Sequence, residues 1–392
     1  MLLDRQRRWS GGAGRRTCRD GPMPGVPPLP VTAGFELQVP KNGCRGGSAK
    51  GTNPVGEAES ARLSGGRRVG CARLAAEGER CCPGVYSHPS VAACASAWSA
   101  RSLDGRHRLT PAATTAFRKS AAKENAMIWD CHVHAAGTES AKDLLAEMDE
   151  RGIDRMCLFG PYRGDSVEAQ RESTDFIAAL QAEAPDRLFG LAWLEPALPG
   201  AADEVERAIA DKGLRGIKMI PNHWYPTDDL LVPVYERVQQ LGVPIQFHSG
   251  ILYGMQDSSR FCQPVYFEAL VHFPKVRFSL AHISWPWCDE CIAVFGRFRA
   301  NVRGRDDEAQ MWIDTTRGTP PEWRLDALRK AVAFGCTNRM LFGSDAHPGN
   351  LAYAAEHIRL DIELLRDEIG LDEAALERYF WGNCAEFYGV PD

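Results

Sequence analysis

The sequence lacks any hydrophobic run long enough to cross a membrane, and it lacks an apolar segment near its start. A membrane-spanning helix needs about 20 consecutive apolar residues, and a secretory signal needs an apolar core of roughly 7–15 residues. The opening Met-Leu-Leu-Asp-Arg-Gln-Arg-Arg provides neither. We therefore expect no membrane partner and no secretory signal.

Cysteine spacing of the kind that builds a disulfide framework or a zinc knuckle is also missing. Residues 127–392 contain seven cysteines, an odd number without a framework pattern. Cys288 and Cys291 have half of a zinc-knuckle spacing, but no second pair follows. We interpret them as reduced thiols at the start of a helix. Reduced thiols predict a cytoplasmic location.

Charge divides the chain at Met127. Residues 1–126 contain 20 Lys and Arg against 9 Asp and Glu, a net charge of +11, and residues 127–392 contain 26 against 42, a net charge of −16. The two values sum to the −5 of the whole chain. The first part also sustains no apolar period of about 2 or about 3.6 residues. We expect no fold for residues 1–126 and one catalytic domain in residues 127–392.

Two interpretations remain for residues 1–126. An organelle transit peptide or a nucleic-acid-binding arm would explain the arginine excess, but the arginines are scattered and not clustered with aromatics, so we expect no nucleic-acid partner. Alternatively, this part is upstream DNA read through, because Lys123-Glu124 can be encoded by AAGGAG, a bacterial ribosome-binding sequence, just before Met127. N-terminal sequencing of the native protein tests a start at Met127, and a peptide from an earlier residue would rule it out.

From Met127 onward, short β-rich runs alternate with amphipathic stretches. Eight runs are predicted strands, at residues 127–134, 153–159, 187–194, 214–220, 243–248, 276–282, 311–315 and 339–345. Helices are predicted between and after them, at residues 141–150, 173–183, 201–212, 231–241, 264–273, 288–298, 321–334 and 350–368. This eightfold alternation predicts a (β/α)8 TIM barrel. The rival is a doubly wound open sheet, but no Gly-x-Gly-x-x-Gly motif follows the first strand.

Polar side chains with metal-binding chemistry stand at the ends of several predicted strands. His132 and His134 are two apart on the first strand, so both imidazoles project from the same face. Other strands end in His248, His282 and Asp345. Barrel active sites lie at the C-terminal ends of the strands, and an imidazole-rich site with one carboxylate suits zinc. The sequence therefore predicts one divalent ion, zinc first and manganese as the alternative.

These motifs together resemble the amidohydrolase superfamily, specifically the branch that includes aminocarboxymuconate-semialdehyde decarboxylase. The resemblance rests on the His132-x-His134 pair, the two later histidines and the Phe342-Gly-Ser-Asp345 ending. It spans about residues 127–390 and includes the closing Trp381-Gly-Asn-Cys-Ala-Glu-Phe-Tyr388. The resemblance implies His132, His134, His248 and Asp345 as metal ligands, and His282 as a catalytic histidine beside the metal.

The chemistry of such a site suits a hydrolase, and the same ion and histidine would also serve a decarboxylase. A bound divalent ion lowers the pKa of a water molecule, Asp345 can accept the proton, and His282 can polarise a carbonyl group. We therefore predict hydrolysis of an amide, ester or lactone of a small organic acid. The alternatives are a non-oxidative decarboxylase of an unsaturated or aromatic acid and a metal-binding barrel without activity. By themselves, Asp345 could be a helix cap and His282 a core histidine.

Further side chains near the strand ends are candidates for binding a small carboxylate substrate. They are Lys218, His223, Trp224, Trp285 and Arg317. For each loop residue the alternative is ordinary loop packing. Lys218 resembles a lysine that is carboxylated and bridges two metals in binuclear members of the superfamily. An unmodified Lys218 could instead anchor an anionic substrate, or it could extend to solvent at the rim of the barrel. We favour one metal, and a homodimer stays open as the oligomeric state.

Overall fold

The computed structural model describes residues 127–390, apart from residues 256, 304, 306 and 307. The expectation that residues 1–126 have no fold lies outside the described residues. Within the described part, no helix combines the length and the apolar character that crossing a bilayer requires.

Eight parallel strands form the centre of the described part, hydrogen-bonded to one another in chain order. They are β1 (Trp129–His134), β2 (Arg155–Phe159), β3 (Leu188–Trp193), β4 (Gly216–Met219), β5 (Ile245–Phe247), β6 (Phe278–Leu280), β7 (Met311–Asp314) and β8 (Met340–Leu341). The first and last strands also meet, since the Cys131 amide donates to the Phe342 carbonyl at 3.0 Å and the Asp345 amide donates to the His132 carbonyl at 2.9 Å. The predicted TIM barrel is confirmed, because sequential order with closure excludes a doubly wound sheet.

Helices surround the barrel and occupy most of the predicted positions. They are α1 (Ala141–Arg151), α2 (Val167–Glu183), α3 (Ala201–Glu206), α4 (Val232–Leu241), α5 (Cys288–Asn301), α6 (Pro321–Ala333), α7 (Ala352–Ile362), α8 (Glu373–Glu377) and α9 (Asn383–Tyr388). Helices α3, α7 and α8 continue as π-helical turns at Arg207–Asp211, Glu363–Ile369 and Arg378–Gly382. The segment predicted as a helix between β5 and β6 is instead a 3-10 helix, Pro264–His272. Cys288 and Cys291 lie at the start of α5 as predicted, and both thiols are free and buried.

Local sequence explains where α1 begins and ends. The Ser140 hydroxyl accepts a hydrogen bond from the Asp143 amide, which satisfies one of the amides left unpaired at a helix start. Gly152 follows the last turn with φ 73°, and its amide donates to the Met148 carbonyl. Glycine ends the helix here because it adopts this left-handed conformation without a steric penalty.

Two apolar clusters lie on opposite sides of the barrel wall. The outer cluster contains Val133 and packs strands against helices, whereas the inner one contains Trp129 and Cys131 and packs against α9. The pairing of β1 with β2 is irregular between Asp130 and Val133, as at a β-bulge. A bulge changes which side chains face inward. It places His132, like His134, on the inner side while Val133 faces the helices.

A buried polar network connects α6 and α7 to the end of β7. The Arg324 guanidinium donates to both carboxylate oxygens of Asp361, at 2.8 and 2.6 Å, and to the Thr315 carbonyl at 2.8 Å. The Tyr379 hydroxyl donates to Asp361 at 2.5 Å and contacts the Thr315 hydroxyl at 2.7 Å. Paired and hydrogen-bonded in this way, the two buried charges are satisfied. The network therefore fixes the strand end that adjoins the barrel mouth.

His357 is expected to make the fold less stable in acid. Burial, followed by the positive charge of Arg324, lowers the pKa of this imidazole from 6.5 to about 3. The unfolded chain then takes up the proton at a higher pH than the folded chain. The free energy of unfolding is therefore undiminished by this group above pH 6.5 and falls as the pH drops from 6.5 toward 3. The free energy of unfolding, measured at about pH 7 and about pH 5, should fall less for His357→Gln than for the wild type. Equal falls would contradict this assignment.

Candidate metal centre

Three side chains converge at the C-terminal end of the barrel. His132 and His134 at the end of β1 bring their Nε2 atoms to 3.1 Å from each other. Asp345, just after β8, places its Oδ1 3.5 Å from His132 Nε2 and 3.4 Å from His134 Nε2. Among the described residues, these three form one group whose ligand atoms all lie within 4.8 Å of each other. The two predicted strand ends are thus brought together as one candidate metal centre.

Backbone conformation next to β8 aims the carboxylate at the imidazoles. Asp345 has φ 57°, a left-handed conformation that aspartate tolerates better than most residues. Gly343 precedes it at a close approach, where a Cβ atom would come within 2.7 Å of the His132 Cβ. Only glycine fits there, because the strand ends pack against each other directly below the site.

Electrostatics keep the two imidazoles neutral and the carboxylate ionised. Burial lowers the pKa of His132 well below 6.5 and also lowers that of His134. Burial alone would raise the pKa of Asp345, but the hydrogen bond with His134 and the attraction of the neighbouring imidazoles in their protonated form hold it well below its usual range. Metal binding requires deprotonated imidazoles and an ionised carboxylate. The directions of these pKa shifts therefore favour the protonation states that a divalent ion needs.

His248, the fourth predicted ligand, lies outside the group of three. It is 8% exposed, and its Nε2 is buried with no hydrogen-bond partner among the described residues. Its ring centroid is 4.9 Å from that of His282. Burial lowers its pKa well below 6.5, which favours the neutral ring, in which one of the two nitrogens has a free lone pair. A buried ring nitrogen without a partner beside the other histidines fits a metal ligand, and the role stays a prediction.

His282 lies between the other histidines, immediately after β6. Its ring centroid is 5.4 Å from that of His132. Its Nδ1 donates to the Arg317 carbonyl at 2.6 Å, so its Nε2 is the ring nitrogen left for proton transfer. The residue has φ 60°, and Gly318 leaves the room that the ring needs, since a Cβ there would be 2.7 Å from Nδ1. The Nδ1 bond to a backbone carbonyl is also what a core histidine would make, so the catalytic role of His282 stays a prediction.

Lys218 on β4 is buried at the same centre. It is 1% exposed, and its Nζ lies 3.5 Å from His132 Nε2 and 4.4 Å from the ring centroid of Phe159. The alternative in which this side chain reaches solvent at the rim is therefore wrong. Burial lowers the pKa of Lys218 to about 8. The cation faces the site and can bind an anionic group there.

A family model described as Amidohydrolase matches residues 129–390. The chain belongs to the amidohydrolase family. The superfamily predicted from the strand-end motifs is thereby confirmed. Among curated proteins, no match is found.

Solved structures of decarboxylases share the barrel of this amidohydrolase. The 5-carboxyvanillate decarboxylase of Sphingomonas paucimobilis is 18% identical with a TM-score of 0.50, and the match covers 68% of this chain and 100% of that chain. The 2,6-dihydroxybenzoate decarboxylase of Rhizobium is 17% identical with a TM-score of 0.50, covering 67% and 98%. A dihydroxybenzoic acid decarboxylase of Polaromonas sp. JS666, with bound manganese and the inhibitor 2-nitroresorcinol, is 18% identical with a TM-score of 0.50, covering 67% and 97%. At these identities the likeness shows a common fold.

The predicted substrate-binding residues of this amidohydrolase occupy different environments. Trp224 is 1% exposed and packs in the outer cluster. Its role in substrate binding stays a prediction, with ordinary loop packing as the alternative. His223 is exposed, with Nε2 3.5 Å from Glu195 Oε1. Trp285 packs near Trp323 with ring centroids 6.3 Å apart.

The Arg317 guanidinium lies 5.0 Å from the ring centroid of Tyr353. The Arg317 carbonyl is the group that accepts the hydrogen bond from His282. No contact of His223, Trp285 or Arg317 identifies a substrate. Their roles in substrate binding stay predictions.

Sequence reasoning missed two buried aspartates of the amidohydrolase site. Asp314, at the end of β7, places its Oδ2 2.6 Å from His132 Nδ1. Asp130 on β1 accepts from the His132 amide at 3.1 Å and from the Ser344 amide and hydroxyl at 3.0 and 2.5 Å. Burial raises the pKa of Asp314 to about 6 and that of Asp130 to about 7. The available signal was position, because Asp314 lies one residue before the end of the predicted strand 311–315, near the catalytic edge of the barrel.

Proposed function

We propose that this amidohydrolase is a metal-dependent, non-oxidative decarboxylase of a small aromatic carboxylic acid. The observation that carries the proposal is the convergence of His132, His134 and Asp345 at the barrel mouth, with His282 and a buried lysine beside them. The solved decarboxylases with the same fold, one of them with manganese and a nitroresorcinol, support this chemistry over hydrolysis.

The residues at the mouth fit one divalent ion. His132 Nε2, His134 Nε2 and Asp345 Oδ1 would hold it, and the unsatisfied Nε2 of His248 is available as a further ligand. When bound, such an ion supplies positive charge that orients and polarises carboxylate and phenolate oxygens. Imidazole and carboxylate ligands suit both zinc and manganese. Manganese in a similar decarboxylase makes it an equal candidate with zinc.

Lys218 provides a second positive charge for the substrate. Its ammonium group is buried next to His132 Nε2, where few water molecules screen it. A charge-assisted hydrogen bond in such a site is stronger than one at the surface. We assign Lys218 the role of binding the carboxylate or the phenolate of the acid.

Decarboxylation of an aromatic acid requires one proton at the ring carbon that carries the carboxylate. A C–H bond forms with that proton, the C–C bond to the carboxylate breaks, and its electron pair returns to the ring as CO2 leaves. We assign the delivery of this proton to His282, whose Nε2 takes it up from solvent and passes it to the ring carbon, while the ionised Asp345 carboxylate stabilises the protonated imidazole. Because Nδ1 of His282 is committed to the Arg317 carbonyl, the ring is oriented with Nε2 as its exchanging nitrogen.

Two further functions would use the same residues. A hydrolase would use the same ion to activate water against an amide, ester or lactone. A binding protein would keep the ligands but would not need His282. The decarboxylase is favoured over both because the similar structures act on aromatic acids.

The test is a panel of hydroxybenzoates, other aromatic carboxylates and lactones, incubated with protein purified without chelator. We expect CO2 release from at least one aromatic acid, about one divalent ion per chain by elemental analysis, and loss of turnover after chelation that added Mn²⁺ or Zn²⁺ restores. The His282→Asn variant, measured in parallel, distinguishes catalysis from background.

Three results would contradict the proposal in different ways. Hydrolysis of lactones without CO2 release from any acid would favour the hydrolase. Stoichiometric metal with no turnover on the whole panel would favour the binding protein. Full turnover in metal-free protein would reject the metal site itself.

A further inference from the structure

Asp314 and His132 form a contact that the proposed reaction does not explain. The Asp314 Oδ2 lies 2.6 Å from His132 Nδ1, on the side of the ring away from the candidate metal centre. Their side chains are 0% and 1% exposed, so neither exchanges this partner for water. The Nε2 on the other side of the same ring faces His134 and Asp345.

The chemistry of this contact determines which nitrogen of His132 carries the proton. An ionised carboxylate has no hydrogen to donate and can only accept. The Nδ1 of His132 must therefore carry the hydrogen, and the Nε2 of the neutral ring is left with a lone pair. A lone pair is what a metal ligand needs, so the carboxylate selects the tautomer that can bind an ion.

We propose that Asp314 is a positioning residue that fixes His132 as the Nδ1–H tautomer and presents its Nε2 to the divalent ion. The inference rests on the metal site of the proposed function but not on its reaction. The barrel makes the pair possible, because Asp314 ends β7 and His132 lies near the end of β1, on the opposite side of β8.

The surroundings of Asp314 hold its carboxylate still. Its Oδ1 accepts a hydrogen bond from the Thr316 amide at 2.8 Å, which leaves Oδ2 for the imidazole. The next residue, Thr315, is joined through its hydroxyl to the Leu341 carbonyl at 3.0 Å and to the Tyr379 hydroxyl at 2.7 Å. The strand end is thereby tied to β8 and to the buried Arg324–Asp361 network. Rigid support of this kind is what orients a ligand.

The first test compares Asp314→Asn with a matched control, Thr315→Val, in full-length protein. The asparagine keeps the shape of the side chain, but its amide group can donate to Nδ1 and so allows the other tautomer. We expect the affinity for Mn²⁺ and Zn²⁺, measured by competition with a chelator, to fall roughly 10- to 100-fold in Asp314→Asn. Thr315→Val removes the hydroxyl bonds of the residue that follows Asp314 without changing any contact of His132. It should lower the Tm and keep the metal affinity.

The second test reads the tautomer in the wild-type chain and does not depend on a variant that binds metal. Imidazole nitrogen chemical shifts of metal-free, ¹⁵N-histidine-labelled protein distinguish a protonated nitrogen from one with a lone pair. The His132→Gln spectrum assigns the relevant signals by their absence. We expect the proton on Nδ1 in the wild type.

Unchanged metal affinity in a folded Asp314→Asn variant would overturn the proposal, as would a wild-type spectrum with the proton on Nε2. An equal loss of affinity in Thr315→Val would show that the strand end, and not the carboxylate, is responsible. If affinity falls as expected while no aromatic acid is decarboxylated, the positioning role stands and the proposed reaction fails. Should Asp314→Asn not fold, the wild-type spectrum still decides.

Discussion

The His282→Asn variant is expected to keep its metal and fold but lose turnover by about a hundredfold or more. His282 does not belong to the group of three ligand residues, and its Nδ1 is bound to the Arg317 carbonyl, so its loss removes no donor from that group. Asparagine suits the position because it tolerates the left-handed backbone, φ 60°, better than other replacements. Elemental analysis measures the metal content of the variant, and steady-state rates on a confirmed substrate measure its turnover.

His248→Asn is the companion variant, with the opposite expectation. Its buried Nε2 has no partner among the described residues, and we assign it to the metal. Removing it should lower metal content and activity together. The assignments fail if His282→Asn loses the ion while His248→Asn keeps it. The catalytic role of His282 fails if its variant turns over the substrate at the wild-type rate.

The Asp361→Ala variant is expected to lower the free energy of unfolding by about 3–5 kcal/mol. Asp361 is 0% exposed and accepts two hydrogen bonds from Arg324, which is 1% exposed. Without the carboxylate, the guanidinium is a buried charge with no counter-ion, and the Tyr379 hydroxyl loses its acceptor. Urea unfolding at neutral pH measures the change. Asp361→Asn keeps the shape of the side chain and should lower the free energy of unfolding by less. It provides the measurement if Asp361→Ala does not fold.

Arg359→Ala is the matched control on the same helix. The Arg359 Nη1 lies 3.4 Å from the Glu363 Oε2, and the two side chains are 43% and 56% exposed. Surface pairs contribute about 0–1 kcal/mol, because water screens the charges and both side chains lose freedom. The interpretation of the buried network would be wrong if the two variants lowered the free energy of unfolding equally.

The barrel could be predicted because it depends on repetition along the chain. Each predicted strand contains a real one, and most helices lie where the amphipathic stretches indicate. The exception between β5 and β6 is instructive. Residues 264–272 form a 3-10 helix with a proline in the first turn, although the segment has the apolar pattern of an α-helix. Periodicity indicates which face is buried, but not how tightly a short helix winds.

The candidate site was predictable where its residues end strands in recognisable motifs. His132, His134 and Asp345 fall into this class, and the structure brings them together. Trp224 was assigned to the substrate because it follows β4; it is buried in the outer cluster, and none of its contacts identifies a substrate. A position near a strand end does not reveal the direction of a side chain, because the backbone turns immediately after the strand.

The sequence by itself determined the fold class, the family motifs and three side chains of the candidate metal centre, because strand periodicity and the C-terminal edge rule act locally. Only the tertiary structure decided which groups touch them. Asp314 is 182 residues from His132 along the chain, and the two meet because the barrel closes. Closure likewise buries Lys218 beside the imidazoles and leaves the Nε2 of His248 without a partner among the described residues. These contacts depend on distances across the barrel, which no local pattern encodes.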